Sequence, residues 1–428
     1  MKTLIRNGHV IDPGRFNGKA DVLIEGGKIA AVGAKLLVKG DNSSHVTIIE
    51  AKGLWVCPGF VDLHVHLREP GFEYKETIAT GARAAVAGGF TSVCCMPNTQ
   101  PVNDSRSVTE FILRQAASAK QANVFPIGAI TKGSDGNELA EIGELYEAGC
   151  VALSDDGRPV MQSLIMRRAM EYALAFNLPI IDHCEDLSLA EGGSMNEGLV
   201  STELGLAGIP SAAEEVMVAR NVALAELTGA RLHLAHVSTV GSVRLVREAK
   251  SRGLAVTAEA CPHHFSLTEE AVRNFNTHAK MNPPLRTGAD VQAVKEGLRD
   301  GTIDGIATDH APHAVQEKQL QFDEAPFGIV GLETALPLVL NLVEEGVLSS
   351  EQAISKLTCA PAQVFALPKG TLALGADADV VLIDPDHTWV VDPSRFQSKA
   401  RNTPFTGWTM KGRVMKTIVG GEVVYDSP

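Results

Sequence analysis

The feature that most constrains the fold is an alternation of short apolar runs with amphipathic segments between about Phe60 and Asp309. Segments such as "SAAEEVMVARNVALAELTG" and "GSVRLVREAKSRG" carry apolar residues near the helical period and end in glycine, which predicts helices. Alternating strands and helices predict an α/β fold with a parallel sheet. Eight repeats suit a closed (β/α)8 TIM-type barrel, with an open doubly wound sheet as the alternative. The runs are "FVDLHVH", "TSVCCMP", "NVFPIGAI", "CVALSDD", "LPIIDHCE", "RLHLAHVS", "LAVTAEACPHH" and "DGIATDHAPH".

The two ends of the chain have a different pattern. Stretches such as "TLIRNGHVIDPG" near the start and "VMKTIVGGEVVYD" near the end alternate apolar and polar residues between glycine and Asp-Pro turns, which predicts antiparallel strands. Neither end alone has enough strands to bury a face, so we expect them to pair in one small β-sandwich. The predicted units are residues 1–57 and 368–428 for the sandwich and 58–367 for the barrel.

Composition excludes several classes of function. The formal charge of -13, from 38 basic and 51 acidic residues, repels phosphate backbones and anionic membranes, so nucleic-acid and membrane partners are not expected. The opening "MKTLIRNGHVIDPG" lacks the apolar core of a signal peptide, and we expect a cytoplasmic protein. The 7 cysteines are odd in number and scattered, which predicts reduced thiols.

Histidine and aspartate collect at the ends of these runs. His64 and His66 are two residues apart, so in a strand both imidazoles face the same way. His183, His236 and Asp309 end later runs, and in a barrel such ends meet at one face. Ordinary packing can explain a single His-x-His, but not this set. Neutral imidazole and carboxylate are ligands for zinc or a similar divalent ion, so we expect a metal site.

Five motifs resemble those of a known family. "DLHVHLREPG", "MPNTQP", "DHCED", "LAHVST" and "ATDHAPH" together are similar to the motifs of a dihydroorotase of the bacterial class I type, in the amidohydrolase superfamily. The resemblance spans nearly the whole chain, and "GTLALGADADVVLID" is similar to the usual return into the small sandwich. His-x-His and the aspartate after the eighth run are typical of the superfamily, whereas His-x-Arg with "MPNT" is typical of dihydroorotases.

The resemblance implies two Zn²⁺ ions per subunit. By this similarity His64 and His66 bind one ion, His183 and His236 bind the other, a carboxylate and a hydroxide bridge them, and Asp309 lies at the metals. Many relatives supply the bridge with a carboxylated lysine at the fourth strand.

The fourth run of this chain, "CVALSDDG", has no lysine at its end, so an aspartate must serve. Strand parity cannot choose between Asp155 and Asp156. The match to the family's motif favours Asp156.

Dihydroorotate carries a carboxylate, and the planar guanidinium of Arg68 can hold such a group with two parallel hydrogen bonds. Asn98 could add an amide donor, although it could also simply form a turn after Pro97. The resemblance adds a set of further substrate contacts. These are His66, Asn282, His313, Phe327 and Gly328. Asn282 could instead only end a strand before Pro283. His263 and His264 are expected to be structural or to support the ligands from behind.

The resemblance also implies an activity, the reversible closure of N-carbamoyl-L-aspartate to L-dihydroorotate with loss of water in pyrimidine synthesis. In the hydrolytic direction, hydroxide on the metals attacks the ring carbonyl, and Asp309 passes its proton to the departing nitrogen. The polar residues 313–326, "HAVQEKQLQFDEAP", are a candidate mobile loop over the site.

Two alternative functions share part of this pattern. A hydantoinase or allantoinase would be expected to carry the bridging lysine and would not need Arg68. A non-catalytic partner of aspartate carbamoyltransferase would be expected to have lost metal ligands, which this chain retains. Association with that transferase and formation of a homodimer remain open.

Overall fold

A parallel barrel of eight strands forms the centre of the molecule in the computed structural model, which describes residues 2–36 and 46–427. Each strand pairs with the next along the chain, as Ile180 with Leu232. The eighth strand is short, and a parallel bridge between His310 and Val65 joins it to the first. The predicted closed barrel is therefore confirmed. Its strands are Phe60–Val65, Phe90–Cys95, Asn123–Gly128, Ala152–Ser154, Ile180–Asp182, Leu232–Leu234, Val256–Ala260 and Gly305–Ile306.

Helices follow the barrel strands, and their ends agree with the sequence signals. Ser211–Thr228 ends at Gly229, which has a φ of 73°. Val240–Ser251 begins after Thr239, whose side chain accepts a hydrogen bond from the Ser242 amide. The other α-helices are Ile78–Ala87, Arg106–Ala119, Ile142–Ala148, Ser163–Ala173, Leu187–Ala190, Leu199–Leu204, Pro262–Ser266, Gly288–Asp300, Val315–Lys318, Ala335–Glu344, Ser350–Leu357 and Cys359–Val364. Short 3-10 helices span Lys132–Ser134, Leu174–Phe176, Glu269–Phe275, Thr277–Ala279 and Pro393–Arg395.

The barrel is a packed core and not a channel. Leu63, Ile127 and Ile181 from three of its strands form a buried apolar cluster, onto which Val364 and Phe365 pack. A second cluster, much larger, lies between the strands and the surrounding helices. Apolar side chains fill this interior, and the predicted ligands His66, Asp156, His183, His236 and Asp309 lie just after the last residues of their strands.

The two ends of the chain meet in one eight-stranded sheet, as predicted. Side chains from its strands, among them Ile5, Val22, Val56 and Leu382, share a buried core of their own. The sheet is mixed and not purely antiparallel, because the first strand pairs in parallel with the fourth and fifth. Its strands are Lys2–Asp12, Phe16–Glu25, Lys28–Gly33, Val46–Glu50, Trp55–Pro58, Val380–Val390, Thr409–Val419 and Glu422–Asp426. A separate pair, Met195–Asn196 and Gly208–Ile209, is parallel. The domain boundaries stay a prediction.

All seven cysteines are free thiols, six of them buried. Within residues 2–36 and 46–427, no helix is both long enough and apolar enough to cross a membrane.

Candidate metal centre and substrate site

Six side chains converge at the ends of the barrel strands. Nε2 of His66 lies 3.0 Å from Oδ1 of Asp309, and Nε2 of His64 lies 3.5 Å from the same oxygen. Nε2 of His64 also lies 3.3 Å from Oδ1 of Asp156. The first and eighth strands and the fourth strand thus bring their polar ends to one point. All six predicted ligands are buried: His64, His66, Asp156, His183, His236 and Asp309.

The fifth and sixth strands supply the other half of this cluster. Nδ1 of His183 lies 2.9 Å from Nε2 of His236, and these atoms are 3.9 Å and 3.8 Å from Oδ1 of Asp156. Oδ2 of Asp156 lies 3.6 Å from Nε2 of His66. Asp156 therefore faces both pairs of histidines, which is the position that a bridging carboxylate requires.

Asp155 has a different environment. Its Oδ1 accepts hydrogen bonds from the amides of Ile130 at 2.8 Å and Thr131 at 3.1 Å, and its Oδ2 accepts one from the Thr131 hydroxyl. Both of its oxygens are thus used in holding the loop after the third strand. The geometry favours Asp156 over Asp155 as the bridge.

The cluster has the properties of a metal site. In the described part of the chain, Nε2 of His64 and Oδ1 of Asp156 are buried without a hydrogen-bond partner. Two overlapping groups, His64 with His66 and Asp309, and His64 with Asp156 and His236, each bring ligand atoms within 4.8 Å of one another. Imidazole and carboxylate donors at this spacing fit a borderline divalent ion.

The pKa values of both carboxylates in the cluster are lowered. Burial alone would raise the pKa of Asp156, but the charge of His64 and the close approach of the His236 and His64 imidazoles hold it well below its usual range. The pKa of Asp309 is lowered in the same way, because His64 and His66 outweigh its burial. Each carboxylate is therefore available as a ligand or as a proton acceptor at neutral pH.

A carboxylate that the sequence analysis missed orients His64. Oε1 of Glu259 lies 2.9 Å from Nδ1 of His64, and Oε2 lies 3.1 Å from Nε2 of His233. Nδ1 of His233 in turn lies 2.8 Å from the Thr257 hydroxyl. Burial would raise the pKa of Glu259, but His233 and His64 lower it to about 2. One sign in the sequence could have identified Glu259, because it is an acidic residue within the buried strand "VTAEA".

Two predicted substrate residues also support ligands. Oδ1 of Asn98 lies 2.9 Å from Nδ1 of His66, so the amide group keeps its Nδ2 hydrogens for another acceptor. Nδ2 of Asn282 donates to Oε2 of Glu185 at 3.1 Å, and that oxygen lies 3.7 Å from Nε2 of His183. A cavity of about 420 Å³ is lined in part by Asn98 and Asp156.

The other predicted contacts lie together. Nε of Arg68 donates to the Pro312 carbonyl at 3.1 Å, and its Nη2 lies 3.4 Å from Nε2 of His313. The same His313 nitrogen lies 2.7 Å from the Phe327 carbonyl oxygen. Gly328 has a φ of 119°, and a Cβ there would lie 2.7 Å from that of Ala311, so only glycine fits. The structure thus places Arg68, His313, Phe327 and Gly328 in one group.

The segment 313–326 contains the helix Val315–Lys318 and is tied down by two lysines. Nζ of Lys318 donates to the carbonyls of Thr277 at 3.0 Å and Pro326 at 2.6 Å. Nζ of Lys280 donates to the Phe322 carbonyl at 2.6 Å and lies 4.6 Å from the centre of the Phe327 ring. That this segment moves over the site stays a prediction.

His263 and His264 are buried beside each other, with ring centres 4.3 Å apart. Nε2 of His264 lies 2.9 Å from the Pro283 carbonyl oxygen. In the described residues, neither histidine forms a hydrogen bond with the six predicted ligands.

Comparison with known families gives two overlapping matches. A family model described as dihydro-orotase-like matches residues 53–242, and one described as amidohydrolase family matches residues 203–425. The chain is 55% identical over 99% of its length to a dihydroorotase of Syntrophus aciditrophicus, which it covers to 99%. It is 58% identical to one of Anaeromyxobacter dehalogenans over 99% of this chain and 97% of the relative.

Solved structures with the same architecture carry other names. An L-hydantoinase (dihydropyrimidinase) from Arthrobacter aurescens is 27% identical, with a TM-score of 0.87 over 99% of this chain and 96% of that one. A D-hydantoinase (dihydropyrimidinase) from a Thermus species is 26% identical, with a TM-score of 0.80 over 99% and 95%. Sequence identity to the dihydroorotases is about twice the identity to these hydantoinases. The dihydroorotases therefore indicate the activity, whereas the hydantoinases show the shared fold.

Proposed function

The chain belongs to the dihydroorotase-like amidohydrolases, and on that premise we propose how its residues carry out the reversible closure of N-carbamoyl-L-aspartate to L-dihydroorotate. The observation that carries the proposal is the position of Arg68. This guanidinium lies two residues after His66 and touches His313, four residues after Asp309, so a cation for an anionic substrate stands beside the carboxylate and imidazole cluster.

The proposal includes two divalent ions, of which zinc suits the donors best. When bound, such ions supply Lewis-acid chemistry, polarising a carbonyl oxygen and lowering the pKa of water. Imidazoles at both sides of one buried carboxylate support this number. The residues that would hold the ions are His64, His66, Asp156 and Asp309 for one, and Asp156, His183 and His236 for the other.

Arg68 binds the substrate carboxylate. Its Nε donates to the Pro312 carbonyl, while Nη2 lies 3.4 Å from Nε2 of His313. A planar guanidinium can present two parallel donors to a carboxylate, which orients the ring as well as binding it. The free Nδ2 of Asn98 and the backbone at Phe327 and Gly328 supply further contacts, and Asn282 lies on the side of His183. The substrate is thereby oriented against Asp309.

Asp309 moves the proton. Its low pKa keeps it ionised, so in the hydrolytic direction it accepts a proton from the attacking water and gives it to the ring nitrogen as the amide bond breaks. In the direction of ring closure the same carboxylate takes the proton from the ureido nitrogen. His66, 3.0 Å away, holds the carboxylate in place.

A hydantoinase function is the second candidate, because the matching solved structures carry that name. Two features of this chain oppose it. Hydantoin and dihydrouracil lack the ring carboxylate that Arg68 would bind, and the residues that follow the fourth strand are the aspartates Asp155 and Asp156, without a lysine. A non-catalytic protein is opposed by the full set of predicted ligands.

The test compares turnover of three ring substrates by the purified, zinc-loaded protein. We expect turnover of L-dihydroorotate and little of hydantoin or dihydrouracil. Asp309→Asn should lose about 10²–10⁴-fold in kcat while it still binds dihydroorotate, since proton transfer contributes that much. Asp323→Asn, in the segment that follows, serves as the matched control. Faster turnover of hydantoin, or near-normal kcat in Asp309→Asn, would contradict the proposal.

Three further properties belong to this proposal, the first from the opening of the sequence and the other two from the family resemblance. They are a cytoplasmic location, assembly as a homodimer, and association with aspartate carbamoyltransferase. Sedimentation of the purified chain, alone and mixed with that transferase, tests the last two.

A further inference from the structure

A second cluster of metal-binding side chains lies where the seventh barrel strand ends. Val256–Ala260 continues into Cys261, and the helix Pro262–Ser266 begins at the next residue. Cys261, His263 and His264 are all buried, with 3% exposure at most, and each offers a ligand atom within 4.8 Å of the others. This cluster shares no residue with the six ligands of the proposed catalytic site.

The hydrogen bonds of His264 determine which of its nitrogens is free. Its Nε2 lies 2.9 Å from the Pro283 carbonyl oxygen, which accepts only, so this nitrogen carries the proton. Nδ1 then keeps an unshared lone pair, and this atom is buried. Histidines that bind metal commonly donate their other ring nitrogen to a backbone carbonyl in this way.

Two nitrogens of this cluster lack partners. In the described part of the chain, Nδ1 of His264 and Nε2 of His263 are buried and make no hydrogen bond. A buried polar atom without a partner costs about 1–3 kcal/mol, so two of them beside one thiol require an explanation. A cation bound between them would remove both costs.

We propose that Cys261, His263 and His264 bind one borderline divalent ion such as Zn²⁺, separate from the catalytic metals. A thiolate and two imidazoles are zinc ligands, and water would complete the coordination. Binding forms a bond from Sγ of Cys261 to the ion and releases the thiol proton to solvent. This inference goes beyond the proposed function and does not depend on it.

The ion would stabilise one wall of the substrate site. His264 reaches Pro283 through its hydrogen bond, and the preceding Asn282 holds Glu185 beside His183. An ion at Cys261 would therefore tie the end of the seventh strand to the segment that carries Asn282. Its role is structural, and it should increase thermal stability.

Cobalt provides the sharpest test, because Co²⁺ bound to a thiolate gives an intense near-ultraviolet charge-transfer band. The six catalytic ligands include no cysteine, so Co²⁺ there gives no such band. We expect the band in the Co²⁺-loaded wild-type protein, its loss in Cys261→Ser, and one metal equivalent less per chain in that variant. Cys184→Ser is the matched control, since Cys184 follows His183 but its Sγ faces Asp182 at 3.4 Å.

The proposal stands if the band is present in the wild type and in Cys184→Ser and is absent from folded Cys261→Ser. It is overturned if the wild type shows no thiolate band, if Cys184→Ser abolishes it, or if folded Cys261→Ser retains it. Should Cys261→Ser fail to fold, His264→Gln replaces it. We expect its cobalt band to be shifted or lost. Its Tm should be lower than that of the wild type when metal is present and equal to it when metal is absent.

Discussion

Oε1 of Glu259 lies 2.9 Å from Nδ1 of His64, behind the face that His64 presents to Asp156 and Asp309. The carboxylate accepts a hydrogen bond from Nδ1–H and leaves the lone pair of His64 on Nε2, where it would be available to a metal ion. Because its other oxygen contacts His233, Glu259 is itself held in position. A buried carboxylate of this kind fixes both the tautomer and the orientation of a ligand.

Glu259→Gln should therefore weaken metal binding. The amide keeps the size of the side chain but loses the charge and turns a donor toward one of the two histidines. We expect a loss of about 10–100-fold in metal affinity, measured by competition with a chelator. Glu50→Gln, in the terminal sheet, is the control. Unchanged affinity in Glu259→Gln would mean that His64 is oriented by other contacts.

Substitution of Asp155 should affect stability, whereas substitution of Asp156 should affect metal binding. Asp155→Ala removes the acceptor for the amides of Ile130 and Thr131, and should lower the free energy of unfolding by about 1–3 kcal/mol while metal content stays full. Asp156→Ala should lose at least one metal and nearly all activity. Metal analysis and denaturant titration of both variants check this, and full metal content in Asp156→Ala would remove it as the bridge.

Recovery of activity from apoenzyme should not depend on bicarbonate. A carboxylated lysine forms by reaction with carbon dioxide, whereas the carboxylate of Asp156 is already ionised. We expect zinc to restore activity at the same rate and to the same extent in carbon dioxide-free buffer as with added bicarbonate. Faster recovery with bicarbonate would indicate a modified lysine in the site.

Arg68→Lys should raise KM for N-carbamoyl-L-aspartate by about tenfold or more. Lysine keeps the charge but loses the planar pair of donors, and a lost hydrogen bond to a charged group costs about 1.5–3 kcal/mol. Steady-state kinetics in both directions measure the change. Arg83→Lys, at an exposed position of the helix Ile78–Ala87, should leave KM unaltered. If both variants behave alike, the substrate carboxylate binds elsewhere.

Lys318 should make stability depend on pH. Burial, with a smaller effect from Lys280, lowers the pKa of Lys318 to about 7 in the folded chain, below the value of about 10.4 in an unfolded one. Between these two pH values Lys318 carries its proton more often in the unfolded chain than in the folded one. The contribution of Lys318 to the free energy of unfolding therefore rises with pH. The difference between wild type and Lys318→Met should grow from pH 7 to pH 9. The exposed Lys120→Met should show no such trend, and a constant difference for Lys318→Met would contradict the assignment.

Local patterns were sufficient for the fold and for much of the site. The period of two places His64 and His66 on one side of a strand, and the repetition of strand and helix predicts the barrel whose strand ends gather His183, His236 and Asp309. These inferences succeed because strand alternation is a property of a short segment, and the barrel follows from the repetition of such segments. The mixed pairing in the terminal sheet was not predicted, since it depends on which strands become neighbours.

Strand parity could not separate Asp155 from Asp156, and the tertiary structure gave them different surroundings, because both follow the fourth strand and their directions depend on the loops around them. It also brought Glu259 behind His64, 195 residues away, and placed Pro283 against His264. Such contacts follow from the register of strands around the barrel and from side-chain packing at its mouth. A single segment does not encode either one. The sequence by itself determined which residues could do chemistry, and the three-dimensional packing decided which of their atoms face one another.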